Sequence, residues 1–213
     1  MKSRNSKIIV LLLLIGLFLT GCGKKEESDT KKPSNDNQNQ TDVKNLKIVD
    51  ANSKSRPYAV MINNISVARP LQSGLQDAYL MYEIIVEGGI TRYMALFMDQ
   101  NTTRIGSIRS ARHYFLDYAL ENDAIYVHHG QSPQAQNDFS ALGVDRIVVD
   151  NSKTGWRDKS LKVASEHTLF TSIEKLNNGL GSKRTTRNNN LLLNYSVDEI
   201  DMASLDGAAS ATN

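Results

Sequence analysis

The chain has 213 residues, of which 40% are hydrophobic and 23% are charged, and its formal charge is +2. This composition is typical of a globular protein and excludes a collagen, a coiled coil and a wholly disordered chain. The near-neutral charge gives no electrostatic reason to expect nucleic-acid binding. The single Cys can form neither an internal disulfide nor a cysteine-rich zinc cluster.

The N-terminus has the order of segments found in a bacterial lipoprotein signal. Three basic residues among the first seven precede Ile8 to Leu19, a stretch of twelve residues that is apolar apart from Gly16. Such a stretch is too short to span a hydrocarbon core about 30 Å thick, but it fits the apolar region of a secretory signal. The following Leu19-Thr20-Gly21-Cys22 resembles a lipobox, in which cleavage occurs before the Cys and its thiol carries a diacylglyceryl group.

We therefore predict that residues 1–21 are removed and that Cys22 anchors the protein at the extracytoplasmic face of the cell membrane. Two acyl chains anchor a protein stably, whereas one chain gives only marginal binding. Without residues 1–21 the chain has 22 basic and 23 acidic residues, so its charge becomes −1. The alternative is an uncleaved signal anchor in which the Cys is incidental.

Composition divides the rest of the chain into three parts. Residues 22–45 comprise the lipidated Cys and a polar segment with five Lys and five acidic residues. This segment cannot bury enough apolar surface to fold, so it is predicted to be a flexible tether. Residues 46–190 contain the apolar segments expected of one folded domain, and residues 191–213 are predicted to be the truncated start of a second domain or a disordered tail.

The first half of the domain has the patterns of β-strands. Pro57 to Asn63 is apolar on both faces and is predicted to be a buried central strand. Tyr79 to Glu87 and Ile90 to Met98 are rich in β-forming residues and flank Gly88-Gly89. A two-residue glycine turn between two such runs predicts a β-hairpin with a type I′ turn.

The second half alternates helices and strands. In chain order we expect a helix from Ser110 to about Glu121, a strand at Ala124–His128, a helix from Ser132 to about Gly143, a strand at Val144–Val149 and a helix from Thr171 or Ser172 to Gly179. Serine at the predicted N-caps, with proline or glycine at helix ends, supports these assignments. The alternation predicts an α/β fold with a mixed sheet, a Gly-Gly β-hairpin and helices packed on the sheet.

Several short motifs between Arg56 and Asn190 form a set that is specific as a whole. They are Arg56–Asn63, Ala68–Leu75, Tyr82–Arg92, Ile105–Arg112, His128–Ala135, Trp156–Asp158 and Glu166–Phe170. This set resembles the YerB-like lipoprotein family, a Gram-positive group with a domain of unknown function, although His129 and Gln131 stand where that family more often has small residues. The resemblance implies a lipoprotein whose second domain begins near the end of this chain, and it implies no mechanism.

The predicted hairpin brings together residues that could carry chemistry. A two-residue turn fixes the register of the two strands so that Glu83, Glu87 and Arg92 share one face of the sheet. Two carboxylates around one arginine suit a catalytic acid/base pair or a fork-shaped ligand site. They equally suit a structural salt-bridge cluster, because partly buried charges must be paired.

Three arginines, Arg104, Arg109 and Arg112, surround the start of the first predicted helix. A helix N-terminus is locally positive, so arginines placed there call for an anion nearby. That anion is either a carboxylate of the protein, such as Glu83 or Glu87, or an external group; a solvated basic patch is the third alternative. Outside the cytoplasmic membrane, external anions include wall polymers, lipid-linked precursors and phospholipid headgroups.

Histidines and loop residues complete the candidate set. His128 ends a predicted strand, where ligands bind in open α/β sheets, and it is predicted to face the site as a ligand contact or general base. Arg157 and His167 lie in an irregular loop and are predicted ligand contacts. Metal binding by a histidine with His167 and Asp158 is an alternative, but the spacing matches no metal motif, so no metal or cofactor is predicted.

The predicted function is a membrane-anchored extracytoplasmic module that recognises an anionic ligand or partner of the cell envelope. Its predicted partners are the membrane, through Cys22, and a cell-wall polymer, a phosphate-bearing ligand or an envelope protein, without nucleic acid. One alternative is an envelope hydrolase or phosphotransferase that uses Glu83 or Glu87 as a base, and another is a scaffold that recruits membrane proteins. The predicted ligand-binding residues are Glu83, Glu87, Arg92, Arg109, Arg112, His128, Arg157 and His167.

Overall fold

The structure is a computed structural model that describes residues 49–196, 198 and 201–209. The predicted signal peptide, Cys22 and the tether lie outside the described residues, as does the end of the chain from residue 210. Among the residues that the structure describes, no helix is both long enough and apolar enough to cross a membrane.

The described part of the chain contains eight strands and three α-helices, joined by loops and 3-10 turns. The strands are β1 (Tyr58–Asn63), β2 (Leu80–Ile85), β3 (Thr91–Phe97), β4 (Ile105–Gly106), β5 (Ile125–His128), β6 (Arg146–Val148), β7 (Trp156–Arg157) and β8 (Leu169–Thr171). The helices are α1 (Leu116–Glu121), α2 (Pro133–Ala141) and α3 (Ile173–Asn178).

Five strands form a mixed sheet in the order β2-β3-β1-β5-β6. Strand β1 is antiparallel to β3 and parallel to β5; β2 extends the antiparallel half and β6 the parallel half. Every residue of β1 is buried, which confirms the predicted central strand. The mixed sheet, the hairpin of β2 and β3 and the short helices confirm the predicted α/β class.

Both faces of this sheet are covered, which explains why β1 is apolar on both sides. Met61 and its neighbours on one face pack against α1 and α2, for example on Leu116. Val60 and its neighbours on the opposite face pack against α3 and a second sheet, for example on Leu176. That second sheet has three strands in the order β4-β8-β7 and was not predicted.

Two of the predicted helices begin where expected. Ser132 is the N-cap of α2, and its hydroxyl accepts a hydrogen bond from the backbone N–H of Ala135 at 3.2 Å. Ser172 caps α3 in the same way, accepting from the backbone N–H of Lys175 at 3.2 Å, and α3 ends at Gly179 as expected.

The segment before α1 is extended, so the predicted N-cap at Ser110 is wrong. Ile108 forms an antiparallel bridge with Ile62 of β1, and Ala111 forms a parallel bridge with Gln131. A 3-10 turn at His113–Phe115 then leads into α1. The neighbouring strands already provide hydrogen-bond partners for the backbone N–H and C=O groups of this segment, so it does not need the hydrogen bonds of a helical turn.

The chain beyond residue 190 still contacts the domain. Leu191 and Tyr195 pack against the core on the side of α1. The ring of Tyr195 meets that of Tyr79 edge-on, with the ring centroids 6.3 Å apart. These residues therefore contribute apolar contacts to the same core as the strands.

Candidate functional site

Strands β1, β5 and β6 are parallel, so their carboxyl ends meet at one edge of the sheet. There β1 and the chain after β5 diverge, and residues 107–111 run between them. The N–H of Arg109 donates to Met61 O, and its carbonyl accepts from the N–H of His129, both at 3.0 Å. Ligands of open α/β sheets bind beyond such carboxyl ends, and this extended segment fixes Arg109 and Arg112 there.

The hairpin next to this edge has a register different from the predicted one. Its loop has three residues, Glu87 to Gly89, closed by a 2.8 Å hydrogen bond from Val86 N–H to Ile90 O. Arg92 therefore lies opposite Ile84, while Glu83 lies opposite Tyr93. A shift of one residue moves a side chain to the other face, so the prediction that Glu83 and Arg92 share a face is wrong.

Glu83 belongs to a separate polar network. Its carboxylate accepts hydrogen bonds from Thr91 Oγ1 at 2.6 Å and from Asn64 Nδ2 at 3.1 Å. These contacts hold together β2, β3 and the chain that follows β1. The structure therefore separates Glu83 from the arginines with which it was grouped.

Arg92 is the most deeply buried arginine at the edge, with 4% of its surface exposed. Its Nη1 donates to Ser110 O at 2.5 Å, and it forms no ion pair with any described carboxylate. Burial, reinforced by the positive charges of Arg112 and Arg109, lowers the pKa of Arg92 to about 10, while Glu87 acts in the opposite direction. The guanidinium is still charged at neutral pH.

Arg112 and Arg109 lie close enough to Arg92 to influence its charge, and we call these three side chains the arginine cluster. Arg112 Nε pairs with Glu87 Oε1 at 2.6 Å, and this hydrogen bond lowers the pKa of the Glu87 carboxyl. Arg109 Nη1 pairs with Glu166 Oε2 at 3.3 Å. The Nε–H of Arg109 is buried and has no acceptor among the described residues.

His167 connects the cluster to the end of β1. The Nδ2 of Asn63 lies 2.9 Å from His167 Nδ1, and His167 Nε2 lies 3.3 Å from Glu166 Oε1. An amide donor at Nδ1 assigns the ring proton to Nε2, which then donates to the carboxylate. His167 thus lies beside the arginine cluster as a buried residue that positions Glu166, whereas the sequence predicts it as a ligand contact.

His128 does not face the site, contrary to the prediction. Its side chain is fully buried on the face that carries α2, stacked on Phe139 at 5.1 Å between ring centroids. Its Nδ1 contacts Gly130 O at 2.8 Å, and Nε2 lies 3.5 Å from Arg146 Nη1. Burial, together with the charge of Arg146, lowers the pKa of His128 to about 4, so the ring is neutral near pH 7.

The neighbouring His129 turns the other way and contacts Arg157. Its Nδ1 lies 2.7 Å from Val149 O, and its Nε2 lies 3.3 Å from Arg157 Nη2. Arg157 also donates to Ser165 O, so it braces the loop that carries Glu166. The sequence does not indicate Glu166 or Asn63, although Glu166 stands beside His167 in one of the matched motifs, and it selects His128 instead of His129.

Arg104, which was grouped with the arginines before α1, lies elsewhere. Its Nη2 pairs with Asp158 Oδ2 at 2.8 Å, and its guanidinium stacks over Phe170 at 3.6 Å from the ring centroid. Because of these contacts, neither Arg104 nor Asp158 belongs to the candidate site. Within the described ranges, no group of three or more His, Cys, Asp or Glu side chains is placed to hold a metal ion.

A cavity of about 220 Å³ lies at the opposite edge of the sheet, near the amino ends of β1 and β5. Tyr58, Phe97 and Asn177 are among its lining residues, and no member of the arginine cluster lines it. The Tyr58 hydroxyl there donates to Asn177 Oδ1 at 2.7 Å. We place the candidate site at the arginine cluster because Arg92 is buried there without an ion pair to a described carboxylate and two further arginines lie close to it.

Comparison with known proteins confirms the resemblance seen in the sequence. A family model described as "Protein of unknown function (DUF3048) N-terminal domain" matches residues 45–186. The Bacillus subtilis (strain 168) protein named "Putative lipoprotein YerB" is 32% identical over 192 residues, which is 88% of this chain and 56% of that protein.

A solved structure gives the same relationship. The crystal structure of the YerB protein from Bacillus subtilis matches with a TM-score of 0.57 and 36% identity, over 62% of this chain and 46% of that one. The chain therefore spans about half the length of the relatives it matches. It belongs to the DUF3048 family of proteins of unknown function, and residues 45–186 correspond to the N-terminal domain of that family.

Proposed function

We propose that this protein is a lipoprotein, anchored through Cys22 at the extracytoplasmic face of the membrane, that binds a phosphate-bearing ligand at the arginine cluster. The observation that carries the proposal is Arg92, a charged side chain with 4% exposure and no ion pair to a described carboxylate. A buried charge without a counter-ion is costly, and an anionic ligand would supply one.

The chemistry of the cluster suits phosphate. Arginine presents a planar fork of N–H donors that matches two oxygens of a phosphate. Three arginines lie close enough together here for two of them to lower the pKa of the third. The two carboxylates in contact with them, Glu87 and Glu166, leave one positive charge unbalanced. Arg157, which braces the loop of Glu166, acts in this proposal as a positioning residue. In this proposal a wall polymer or a lipid headgroup of the envelope presents the phosphate.

An enzymatic role has less support, because neither predicted base fits it. Glu83 lies on the other face of the sheet from Arg92. The Arg112 hydrogen bond keeps the pKa of Glu87 below its usual range, which makes its carboxylate a weak base. The arrangement therefore favours a binding module over a hydrolase or phosphotransferase.

The binding proposal predicts that R109A/R112A lowers affinity for inorganic phosphate and pyrophosphate by at least about tenfold, because each charge-assisted hydrogen bond is worth roughly 1.5–3 kcal/mol. R92K, which keeps the charge but loses the fork, should weaken binding in the same direction. The measurement is isothermal calorimetry on the full chain in non-ionic detergent at fixed ionic strength.

The control for these variants is K54A, which removes an exposed charge near the amino end of β1, at the other edge of the sheet. It should bind both anions as the wild type does. Equal affinities for wild type, R92K and R109A/R112A would refute an anion site at the cluster, and thermal unfolding of each variant would show that the comparison is made on folded protein.

The anchor is tested separately by C22S. Loss of the thiol removes the acceptor of the diacylglyceryl group and disrupts the lipobox, so the variant should incorporate no labelled palmitate and should retain residues 1–21 when expressed in a Gram-positive host. The related protein named as a lipoprotein supports this expectation. A C22S precursor that is still cleaved and still retained by the membrane would overturn it.

A further inference from the structure

We infer that Glu87 and Glu166 are internal counter-ions that the ligand displaces, and that the ligand presents two phosphoryl groups, as a diphosphate does. This inference rests on the proposed anion site and adds to it a mode of binding and a ligand class. It starts from a difference in exposure within each ion pair at the arginine cluster.

In both pairs the carboxylate is far more exposed than the arginine. The side chains of Glu87 and Glu166 are 65% and 58% exposed, whereas those of Arg112 and Arg109 are 17% and 25% exposed. Ion pairs with one partner in solvent contribute little to stability, so either carboxylate can leave at small cost. The arginines, by contrast, are set into the protein.

Backbone carbonyls hold the guanidiniums of Arg92 and Arg112 independently of the carboxylates. Arg92 donates to Ser110 O at 2.5 Å and Arg112 donates to Ala111 O at 2.8 Å. Arg109 Nη1 lies 3.5 Å from Glu166 O, a contact at the limit of hydrogen bonding. Release of the two carboxylates would therefore leave an array of donors already oriented, which reduces the entropy lost when a ligand binds.

The charge count selects the ligand class. Once Glu87 and Glu166 are released, the three guanidiniums of the cluster have no described carboxylate as a counter-ion. A single phosphate monoester carries about −1.5 to −2 charges near neutral pH and leaves part of this charge unbalanced. Two linked phosphoryl groups carry more negative charge and offer oxygens to more than one arginine side chain. One phosphoryl group would then take the place of each displaced carboxylate.

The test compares pyrophosphate with inorganic phosphate on the full chain in non-ionic detergent, by calorimetry at fixed ionic strength. Pyrophosphate should bind at least about tenfold more tightly than phosphate. E87Q and E166Q should each bind pyrophosphate about two- to fivefold more tightly than wild type, because an internal competitor of the strength of an exposed ion pair has been removed. E174Q removes an exposed carboxylate of α3 outside the cluster and should leave the affinity unchanged.

The outcomes separate this inference from the proposal beneath it. If pyrophosphate binds and R92K weakens it, but E87Q and E166Q bind no more tightly than wild type, the anion site stands and the displacement is refuted. A preference for phosphate over pyrophosphate refutes the diphosphate class. If no form of the protein binds either anion, both the displacement of the carboxylates and the proposed anion site are refuted.

Two further ligands in the same experiment distinguish a soluble diphosphate from a lipid-linked one. Uridine diphosphate tests a soluble ester, and farnesyl diphosphate in detergent micelles tests a lipid headgroup. Both carry the chemistry that the cluster is inferred to recognise, so each should compete with pyrophosphate and be weakened by R92K. A lipid that binds more tightly than the soluble ester identifies the membrane as the source, and failure of both to compete refutes the diphosphate class.

Discussion

R56A should lower the free energy of unfolding by about 3 kcal/mol, because it removes the buried arginine of a partly exposed ion-pair network. Arg56 is 8% exposed and contacts Asp123 and Asp145. Its Nε also donates to Asp123 O at 2.6 Å. Truncation would leave the backbone carbonyl of Asp123 without this donor and would remove one of the two arginines that pair with the Asp123 carboxylate.

Asp123 connects three segments of the chain. Its φ is 50°, in the left-handed region that few residues other than glycine adopt. Burial raises the pKa of the Asp123 carboxyl, but hydrogen bonds from Arg184 and Asn188 and the charges of Arg56 and Arg184 outweigh it, so the pKa is lowered overall. The network therefore joins the start of β1, the turn before β5 and the segment after α3.

Urea unfolding monitored by circular dichroism measures this effect. K54A, which removes an exposed positive charge two residues away, should change the free energy of unfolding by no more than about 0.5 kcal/mol. A loss of under about 1 kcal/mol for R56A would mean that the network contributes no more than a surface ion pair does.

The parts of the fold that could be predicted from the sequence are those that local patterns specify. Strand β1 is a run of apolar residues, and α2 and α3 each have a serine N-cap whose hydroxyl makes the expected hydrogen bond. The hairpin was predicted from Gly88-Gly89. Each of these signals lies within a few residues of the structure it specifies.

The errors arise where distant segments decide the structure. Residues 107–111 resemble a helix start, but they pair with β1 and with the chain after β5, partners that a local pattern does not contain. Strands β4 and β7 have two residues each, which is too short for any periodicity. In the hairpin, the loop closes around three residues instead of two, and that one residue decides which face carries Arg92.

The candidate site was predicted in its composition better than in its geometry. Arg92, Arg109 and Arg112 are close together, and Glu87 is one of the carboxylates that the sequence suggested as an internal partner. Glu83 was misplaced because its assignment depended on the hairpin register. His128 was misplaced because alternation along a strand shows that adjacent residues face opposite ways without showing which face is buried.

The burial of His128 leads to a second prediction with a large effect. Its pKa in the folded protein is about 4, below the value of about 6.5 expected for an unfolded chain. Between these values the unfolded chain binds the proton and the folded protein does not. The contribution to stability is therefore complete above pH 6.5 and is lost as the pH falls toward 4, by about 1.4 kcal/mol per pH unit and about 3 kcal/mol in all.

Replacement by an uncharged ring tests this dependence. H128F retains the aromatic stack on Phe139 but cannot bind a proton, so its unfolding free energy should change less than that of wild type between pH 6.5 and 4. H113N, which removes an exposed imidazole outside the core, is the matched control. If the unfolding free energies of wild type and H128F change in parallel with pH, the folded protein accepts a proton on His128 without loss of stability. A flatter curve for H128F alone would identify His128 as a core residue whose protonation limits stability in acid, separate from the arginine cluster on which the binding proposal rests.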